Sequence, residues 1–372
     1  MPDDPAGEAG GSPPDRADDD LGPSTSSWYR GRSVLITGGG GSIGSALALR
    51  LVRLAPSRIV LLDHAEGALF SAGRALAAAA PSSLRVETVL GSVCDGRPVA
   101  RALGWGADIV FHAAACKHVP LVEANVAVGV ATNVFGTLGL LRQAREAGVG
   151  RFVLVSTDKA VRPAGAMGAT KRLAELAAMD LARRPGAPRT AVVRFGNVIG
   201  SSGSVVPLLR DQIARGGPVT VSHPRAERYF MTMREATALL LHAGSRMSGG
   251  ETFMRDMGPP VRILDLAERL IEEAGHGAPG SPKARPAITF TGLRPGEKLC
   301  EDLPDWPGEP VEGAAGLRRA FEPVPSEIEV AAMLRLLRER LDAGEEEALR
   351  ATCLALAGRH WAEGARTPAV AQ

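Results

Sequence analysis

At 372 residues, with 45% hydrophobic and 23% charged side chains, the chain is long enough for one large core plus a smaller lobe. A net charge of +2, scattered along the sequence, gives no basis for binding nucleic acid or an anionic membrane surface. No apolar run approaches the roughly 20 residues of a membrane helix. The seven histidines show no HExxH spacing and the four cysteines no CxxC, so no metal site is expected.

Of the four cysteines, Cys94, Cys116, Cys300 and Cys353, two fall where buried strands are expected, which argues for free thiols in a reducing cytoplasm. The N-terminal stretch "MPDDPAGEAGGSPPDRADDDLGPSTSS" lacks the basic and apolar regions of a signal peptide. Its Pro, Gly, Ser and Asp content predicts a disordered tail over residues 1–30.

From residue 33 onward, apolar strands alternate with helical patterns. "SVLITG", "RIVLLD", "RVETVLG", "DIVFHAAA", "RFVLVST" and "TAVVRFGNV" read as strands of a parallel sheet covered on both faces. Helices are expected between them at 43–54, 65–80, 121–147 and 167–183. This predicts an α/β fold, a doubly wound parallel sheet of Rossmann type over residues 31–200. A smaller C-terminal lobe over 201–305, interleaved with the end of the sheet, is expected to bind substrate. Residues 306–372 read as a helical extension that either covers the core or forms a subunit contact, and a homo-oligomer is expected.

"TGGGGSIGS" links the first strand to the first helix of the sheet, with Gly38, Gly41 and Gly44 in G-x-x-G-x-x-G spacing and Ser42 and Ile43 opening the helix. A dinucleotide pyrophosphate needs backbone N–H donors at a helix N-terminus and no Cβ in its way, which such a loop supplies. Asp63 ends the second strand, 25 residues after Gly38, where an acid bonds the adenosine ribose and repels a 2′-phosphate. Ala113 and Ala114 leave room for a flat ring beside the fourth strand. Asn133 is a polar residue in an apolar helical pattern, suited to an ordinary buried hydrogen bond or to holding the helix backbone open near the site.

Thr157, Asp158 and Lys159 follow the fifth strand, where open α/β sheets build their sites. Met167 and Lys171 stand four apart on the next helix, and so point the same way. In many nicotinamide enzymes that spacing holds Tyr and Lys, the Tyr serving as acid/base. Here Tyr29 and Tyr229 are the only tyrosines and no Tyr-x-x-x-Lys exists, so Met167 cannot move a proton.

These motifs, with "AAACKHVPL", "STDKAVRPAGAMGATKR", "VRFGNVIGSSGSVVPL", "RYFMT", "MGPPVRILDLA" and "TGLRPGEKL", resemble the extended short-chain dehydrogenase/reductases. The likeness, over about residues 33–303, is to the polysaccharide-biosynthesis (CapD-like) group of UDP-N-acetylglucosamine 4,6-dehydratases, in its short soluble form. It implies a UDP-sugar substrate and tightly bound, recycled NADP or NAD. By likeness Thr157 bonds the sugar O4, Asp158 is the acid toward the C6 hydroxyl, Lys159 is the C5 base and Lys171 holds the nicotinamide ribose. A base lysine needs a pKa lowered by burial or by nearby cations such as Lys171.

The resemblance also implies Lys117, His118, Asn133, Arg194, Asn197, Val206, Arg228, Arg294 and Glu297 around the nucleotide sugar. Ser92 and Val93 fall at an adenine-contact motif. Three departures stand out: Ser92 replaces the Asp of that motif, Cys116 replaces a Tyr before Lys117, and Ala226–Glu227 precede "RYFMT". A UDP-sugar C4 or C5 epimerase and a non-catalytic NAD(P)-binding regulator are the alternatives.

Overall fold

A computed structural model describes residues 21–275, 284–304 and 308–364. The expected tail over 1–20 and the linker segment 276–283 lie outside the described residues. The remainder of the expected tail is helix α1 (Gly22–Tyr29), started by a proline in its first turn. Its anchor is aromatic: Tyr29 is fully buried and donates to the Leu241 carbonyl at 2.7 Å. The Arg32 and Arg151 guanidiniums stack over the adjacent Trp28 ring, 4.1 and 4.3 Å from its centroid.

Six strands, β1 (Ser33–Thr37), β2 (Arg58–Asp63), β3 (Arg85–Leu90), β4 (Ile109–His112), β5 (Arg151–Thr157) and β6 (Arg189–Phe195), form the parallel sheet the apolar runs predict. Strand Glu251–Arg255 adds parallel to β6, and Leu317–Phe321 pairs antiparallel with it. The spatial order places β1 between β2 and β4, so the chain reverses its direction of travel across the sheet there. Such a switch point opens a crevice at the carboxyl ends of the strands. Side chains alternate between the faces. Val34, Ile36, Ile59, Leu61, Phe111 and Val153 fill one core, and Leu35, Val60, Leu62, Val110, Phe152 and Leu154 the other.

Helices α2 (Ser42–Val52), α3 (Glu66–Ala79) and α4 (Gly96–Leu103) follow the first three strands. The single helix expected over 121–147 is broken into α5 (Val119–Ala124), α6 (Val126–Gly129), a π-helical turn Val130–Gly136 and α7 (Thr137–Glu146). Asn125 leaves helical geometry, with φ −144° and ψ 62°, and causes the first break. At the second, Asn133 is fully buried, accepts from Cys116 N at 2.8 Å and donates to Thr170 Oγ1 at 3.0 Å. Its side chain ties the π turn to the following helix and to the loop after β4, so it positions the site from behind.

That following helix, α8 (Ala166–Ala182), is buried along almost its whole length. Beneath it lies a quartet of buried charges. Arg194 donates to both oxygens of Glu175, at 2.9 and 2.5 Å, and to Glu322 at 2.5 Å. Arg172 donates to Glu175 at 3.1 Å and Glu322 at 2.6 Å, and Ser156 adds a hydroxyl to Glu175. Burial alone would push the Glu175 carboxyl up, but the guanidiniums of Arg194 and Arg172 hold it at about 2. The expectation that Arg194 binds the nucleotide is therefore corrected: its guanidinium is fully buried and committed to two carboxylates.

The small lobe packs α9 (Val205–Ala214) and the later helix Ile263–Glu273 around Val219, Val221, Leu209, Ile213 and Ile271. Val206 belongs to that core at 6% exposure, which corrects its expected place at the sugar. Between the two, α10 (Met233–Arg246) starts on a capping box made by Thr232 and Glu235. The extension expected to be helical from 306 first adds strands Glu309–Pro310 and Leu317–Phe321 to the main sheet. Only then do α12 (Glu327–Ala343) and α13 (Glu346–Gly364) follow, the small-lobe helix Ile263–Glu273 being α11. The last two cover α8, with Met333, Leu337, Leu349 and Cys353 buried against Leu173 and Leu176. None of the four cysteines lies in a strand, contrary to expectation, and all four thiols are free. Among the described residues no helix is long and apolar enough to cross a membrane.

Removing one member of a buried charge set leaves an uncompensated ion and costs about 3–5 kcal/mol. Arg194→Met is accordingly expected to lower the urea unfolding free energy by about that amount, whereas an arginine serving only as a ligand would leave it nearly unchanged.

Candidate active site

The end of β5 is where the polar groups converge. Thr157 leaves the strand and caps a single 3-10 turn, Asp158–Ala160, accepting from Lys159 N at 3.4 Å and donating to Asp158 Oδ1 at 2.9 Å. Lys159 Nζ lies 3.0 Å from Asp158 Oδ1, 3.2 Å from Asn197 Oδ1 and 3.5 Å from Glu301 Oε1. Asp158 is fully buried, and its second oxygen, Oδ2, has no hydrogen-bond partner among the described residues. A buried carboxylate oxygen left without a donor is costly.

Lys159 departs from expectation. Burial pushes its pKa down, but the carboxylates of Asp158 and Glu301 outweigh that and the opposing charge of Arg228, so the net shift is upward. Lys171 is not the cation that faces it. Its amine donates to the Val155 carbonyl at 2.6 Å, and burial, partly opposed by Glu175, pulls its pKa to about 8. Lys171 also combines with burial to hold His112 neutral, at about 3. Met167, at 3% exposure, lies in the apolar cluster with Val122, Val130 and Leu173, and so fills the core.

Small-lobe residues close the other side. Arg228 donates to the carbonyls of Glu227 and Leu299, and its Nε lies 3.6 Å from Glu301. Asn197 N donates to the Tyr229 carbonyl at 2.9 Å. Arg294 is exposed, and its backbone N–H donates to Glu297 at 3.1 Å in the turn of "RPGE". Lys117 donates to the Ser202 carbonyl at 3.0 Å, while the His118 ring packs against Gly203. Burial lowers the pKa of both Lys117 and His118.

Glu301 and Tyr229 have no place among the sequence-derived candidates. Glu301 sits just past "RPGEKL" at 5% exposure, and an acid following a basic turn has no periodic signal to single it out. The Tyr229 phenol lies near Cys300, and burial, with Cys300, Glu227 and Asp158 nearby, pushes its pKa up. Sequence spacing alone gives it no lysine partner.

The glycine loop has the shape that a dinucleotide requires. Gly38 has φ +68°, and a Cβ there would meet Ala114 N and the Ala113 carbonyl within 3 Å. A Cβ on Gly44 would strike the Gly38 carbonyl oxygen. Gly41 caps α2, whose first residues are Ser42 and Ile43, so the helix N-terminus faces the crevice. Asp63 receives Gly40 N and Ala65 N, each at 2.9 Å, one on each carboxylate oxygen. Ser92 Oγ accepts from Cys94 N at 3.1 Å in the next turn, while Val93 is buried in the core at 7% exposure. Ser202 bonds Ser42 by both its N–H and its hydroxyl, each at 3.0 Å. A separate cavity of about 600 Å³, lined by Gly22, His242, Arg255 and Arg318, shares none of these residues.

The collision at Gly44 yields a paired prediction. Gly44→Ala is expected to destabilise the chain by about 1–3 kcal/mol through overpacking, whereas Gly67→Ala, in helix α3 with open space around it, should be neutral or mildly stabilising. Equal melting shifts for the two would refute the tight loop.

The polysaccharide biosynthesis protein family matches residues 34–306. The chain is 42% identical over 273 residues to the capsular polysaccharide biosynthesis protein CapD of Staphylococcus aureus, covering 73% of this chain and 45% of that protein. The chain thus spans about half the length of the curated relatives it matches in this way. It is 32% identical to the UDP-N-acetylglucosamine 4,6-dehydratase (inverting) of Campylobacter jejuni and 34% identical to the UDP-glucose 4-epimerase of Rickettsia prowazekii, covering 73% of this chain and 77% of each. A dTDP-glucose 4,6-dehydratase of Streptomyces venezuelae, DesIV, solved with NAD, superposes with a TM-score of 0.60 at 26% identity, covering 73% of this chain and 88% of that one. With a doubly wound sheet, a dinucleotide-shaped glycine loop and a polar cluster at the end of β5, the chain belongs to the polysaccharide biosynthesis protein family, among the nucleotide-sugar dehydratases and epimerases.

Proposed function

We propose that the chain is a nucleotide-sugar 4,6-dehydratase that converts UDP-N-acetylglucosamine, or a close UDP-hexose, to its 4-keto-6-deoxy sugar for polysaccharide or glycoconjugate synthesis. The observation that carries this reading is the pairing of a buried acid, Asp158 with its partnerless Oδ2, and an amine, Lys159, 3.0 Å apart on one turn. Dehydration across C5 and C6 needs an acid and a base on the same side of the sugar, and C4 epimerisation needs no acid for the C6 hydroxyl.

A bound nicotinamide dinucleotide would supply the redox step at C4 and C6, and Gly38, Gly41, Ser42, Ile43, Gly44 and Asp63 are the residues to hold it. Asp63 carries negative charge where a ribose diol would lie and is bonded to backbone N–H on both oxygens, which favours NAD over NADP. In this reading Thr157 bonds the sugar O4 and Asp158 protonates the departing C6 hydroxyl. Lys159 is the C5 base in this reading once its amine has passed to Asp158, 3.0 Å away, the proton that Asp158 and Glu301 otherwise hold on it. Lys171, whose pKa of about 8 keeps it mostly charged at neutral pH, holds positive charge behind β5. Arg228, with Arg294 and Glu297 in the neighbouring turn, is the guanidinium this reading assigns to the diphosphate.

Incubation with NAD and UDP-N-acetylglucosamine is expected to give a product lighter by one water, formed faster than with NADP. Lys159→Ala should lower turnover by about 10²–10⁴-fold, the usual worth of a general base, while dinucleotide binding survives. A product of unchanged mass and altered stereochemistry would establish the epimerase alternative instead. No turnover of any UDP-hexose by the wild type would refute both enzyme readings.

A further inference from the structure

Glu301 lies on the segment after the "RPGEKL" turn, at 5% exposure, and its Oε1 is 3.5 Å from Lys159 Nζ and 3.6 Å from Arg228 Nε. One buried carboxylate therefore touches both the amine at the end of β5 and the small-lobe arginine. We propose that Glu301 is a positioning residue for Lys159: its carboxylate anchors the amine beside Asp158 and sets the pH at which that amine is free of its proton. The catalytic part of this inference rests on the dehydratase reading; the charge coupling does not.

The surrounding charges support the assignment. Lys159 faces Asp158 on its own turn, Glu301 on the 299–302 segment and Arg228 on the strand Glu227–Arg228, with Asn197 adding an uncharged acceptor. The four charged groups sum to zero. Asp158 is the nearer carboxylate and its Oδ1 also accepts from the Thr157 hydroxyl, so Glu301 supplies the amine with a second, separate anchor. Around Glu301 stand the Cys300 thiol, raised by burial, and the nearby Tyr229 phenol. The neighbouring Asp302 is committed to Lys298 at 2.8 Å and Arg162 at 3.6 Å, so it is not a substitute. With Glu301 neutralised, Lys159 would keep only the Asp158 carboxylate against the opposing charge of Arg228, and the amine would lose its proton at lower pH.

The test is competitive acylation of the ligand-free full chain across pH, with Lys159 modification read by peptide mass spectrometry. Glu301→Gln is expected to move the Lys159 midpoint down by about one pH unit or more, with Glu301→Asp in between. In the UDP-N-acetylglucosamine assay the acid limb of kcat/KM should move the same way, whereas a merely structural role would lower the rate without moving the limb. An unshifted Lys159 midpoint in folded Glu301→Gln would overturn the proposal. If that variant fails to fold by circular dichroism, an unshifted midpoint in Glu301→Asp overturns it. A shifted midpoint in a protein that turns over no UDP-hexose would refute the dehydratase reading and leave the coupling standing.

Discussion

Burial at the end of β5 would strip the charge from a lone lysine, yet Lys159 keeps its proton there because Asp158 and Glu301 supply two carboxylates within 3.5 Å. The small-lobe strand Glu227–Arg228 and the 299–302 segment close over that cluster. A charge-assisted contact of this kind is worth most where the surroundings are least polar. It also leaves Asp158 Oδ2 buried without a donor among the described residues.

The support for that cluster comes largely from behind the sheet. Helix α8 carries Lys171 on one side and is bound on the other to the Arg172–Glu175–Arg194–Glu322 quartet. Glu322 lies beyond the family-matched residues 34–306, so the C-terminal segment completes a charge balance that the shared fold leaves open. The same segment reaches α8 again through α13, where Arg350 pairs with Glu123 at 2.8 Å and Glu123 in turn accepts the first N–H of α8. At its front, the π turn around Asn133 locks α8 to the loop after β4. Rigid backing of this kind is what keeps a catalytic pair within the narrow geometry its chemistry needs.

Much of this was legible in the sequence wherever a pattern repeats locally. Six apolar strands, the glycine loop and the Thr157–Asp158–Lys159 turn all announce themselves within a few residues, and the sheet places them as read. What escaped depends on partners far along the chain. Nothing in "VRFGNV" distinguishes an arginine that binds phosphate from one whose partner is Glu322, 128 residues away. Apolar periodicity runs on through 121–147, so it hid the breaks at Asn125 and around Asn133, which are made by backbone geometry and by a side chain reaching across to Cys116. A Pro- and Ser-rich composition masked α1, whose stability comes from one aromatic pair packed on the sheet. Glu301 was invisible for the same reason as Arg194: its meaning lies in the two cations it meets only after folding.

Position 167 tests the account most directly, because it separates a site built on Asp158 and Lys159 from one that depends on the residue a turn before Lys171. Met167 is packed among Val122, Val130 and Leu173, so exchanging it for another apolar side chain of similar volume should disturb little. The measurement is turnover of UDP-N-acetylglucosamine by Met167→Leu beside Asp158→Asn under the same conditions. The account predicts a Met167→Leu rate within about threefold of wild type, and a loss of about a hundredfold or more in Asp158→Asn. A Met167→Leu variant that folds yet falls as far as Asp158→Asn would contradict it.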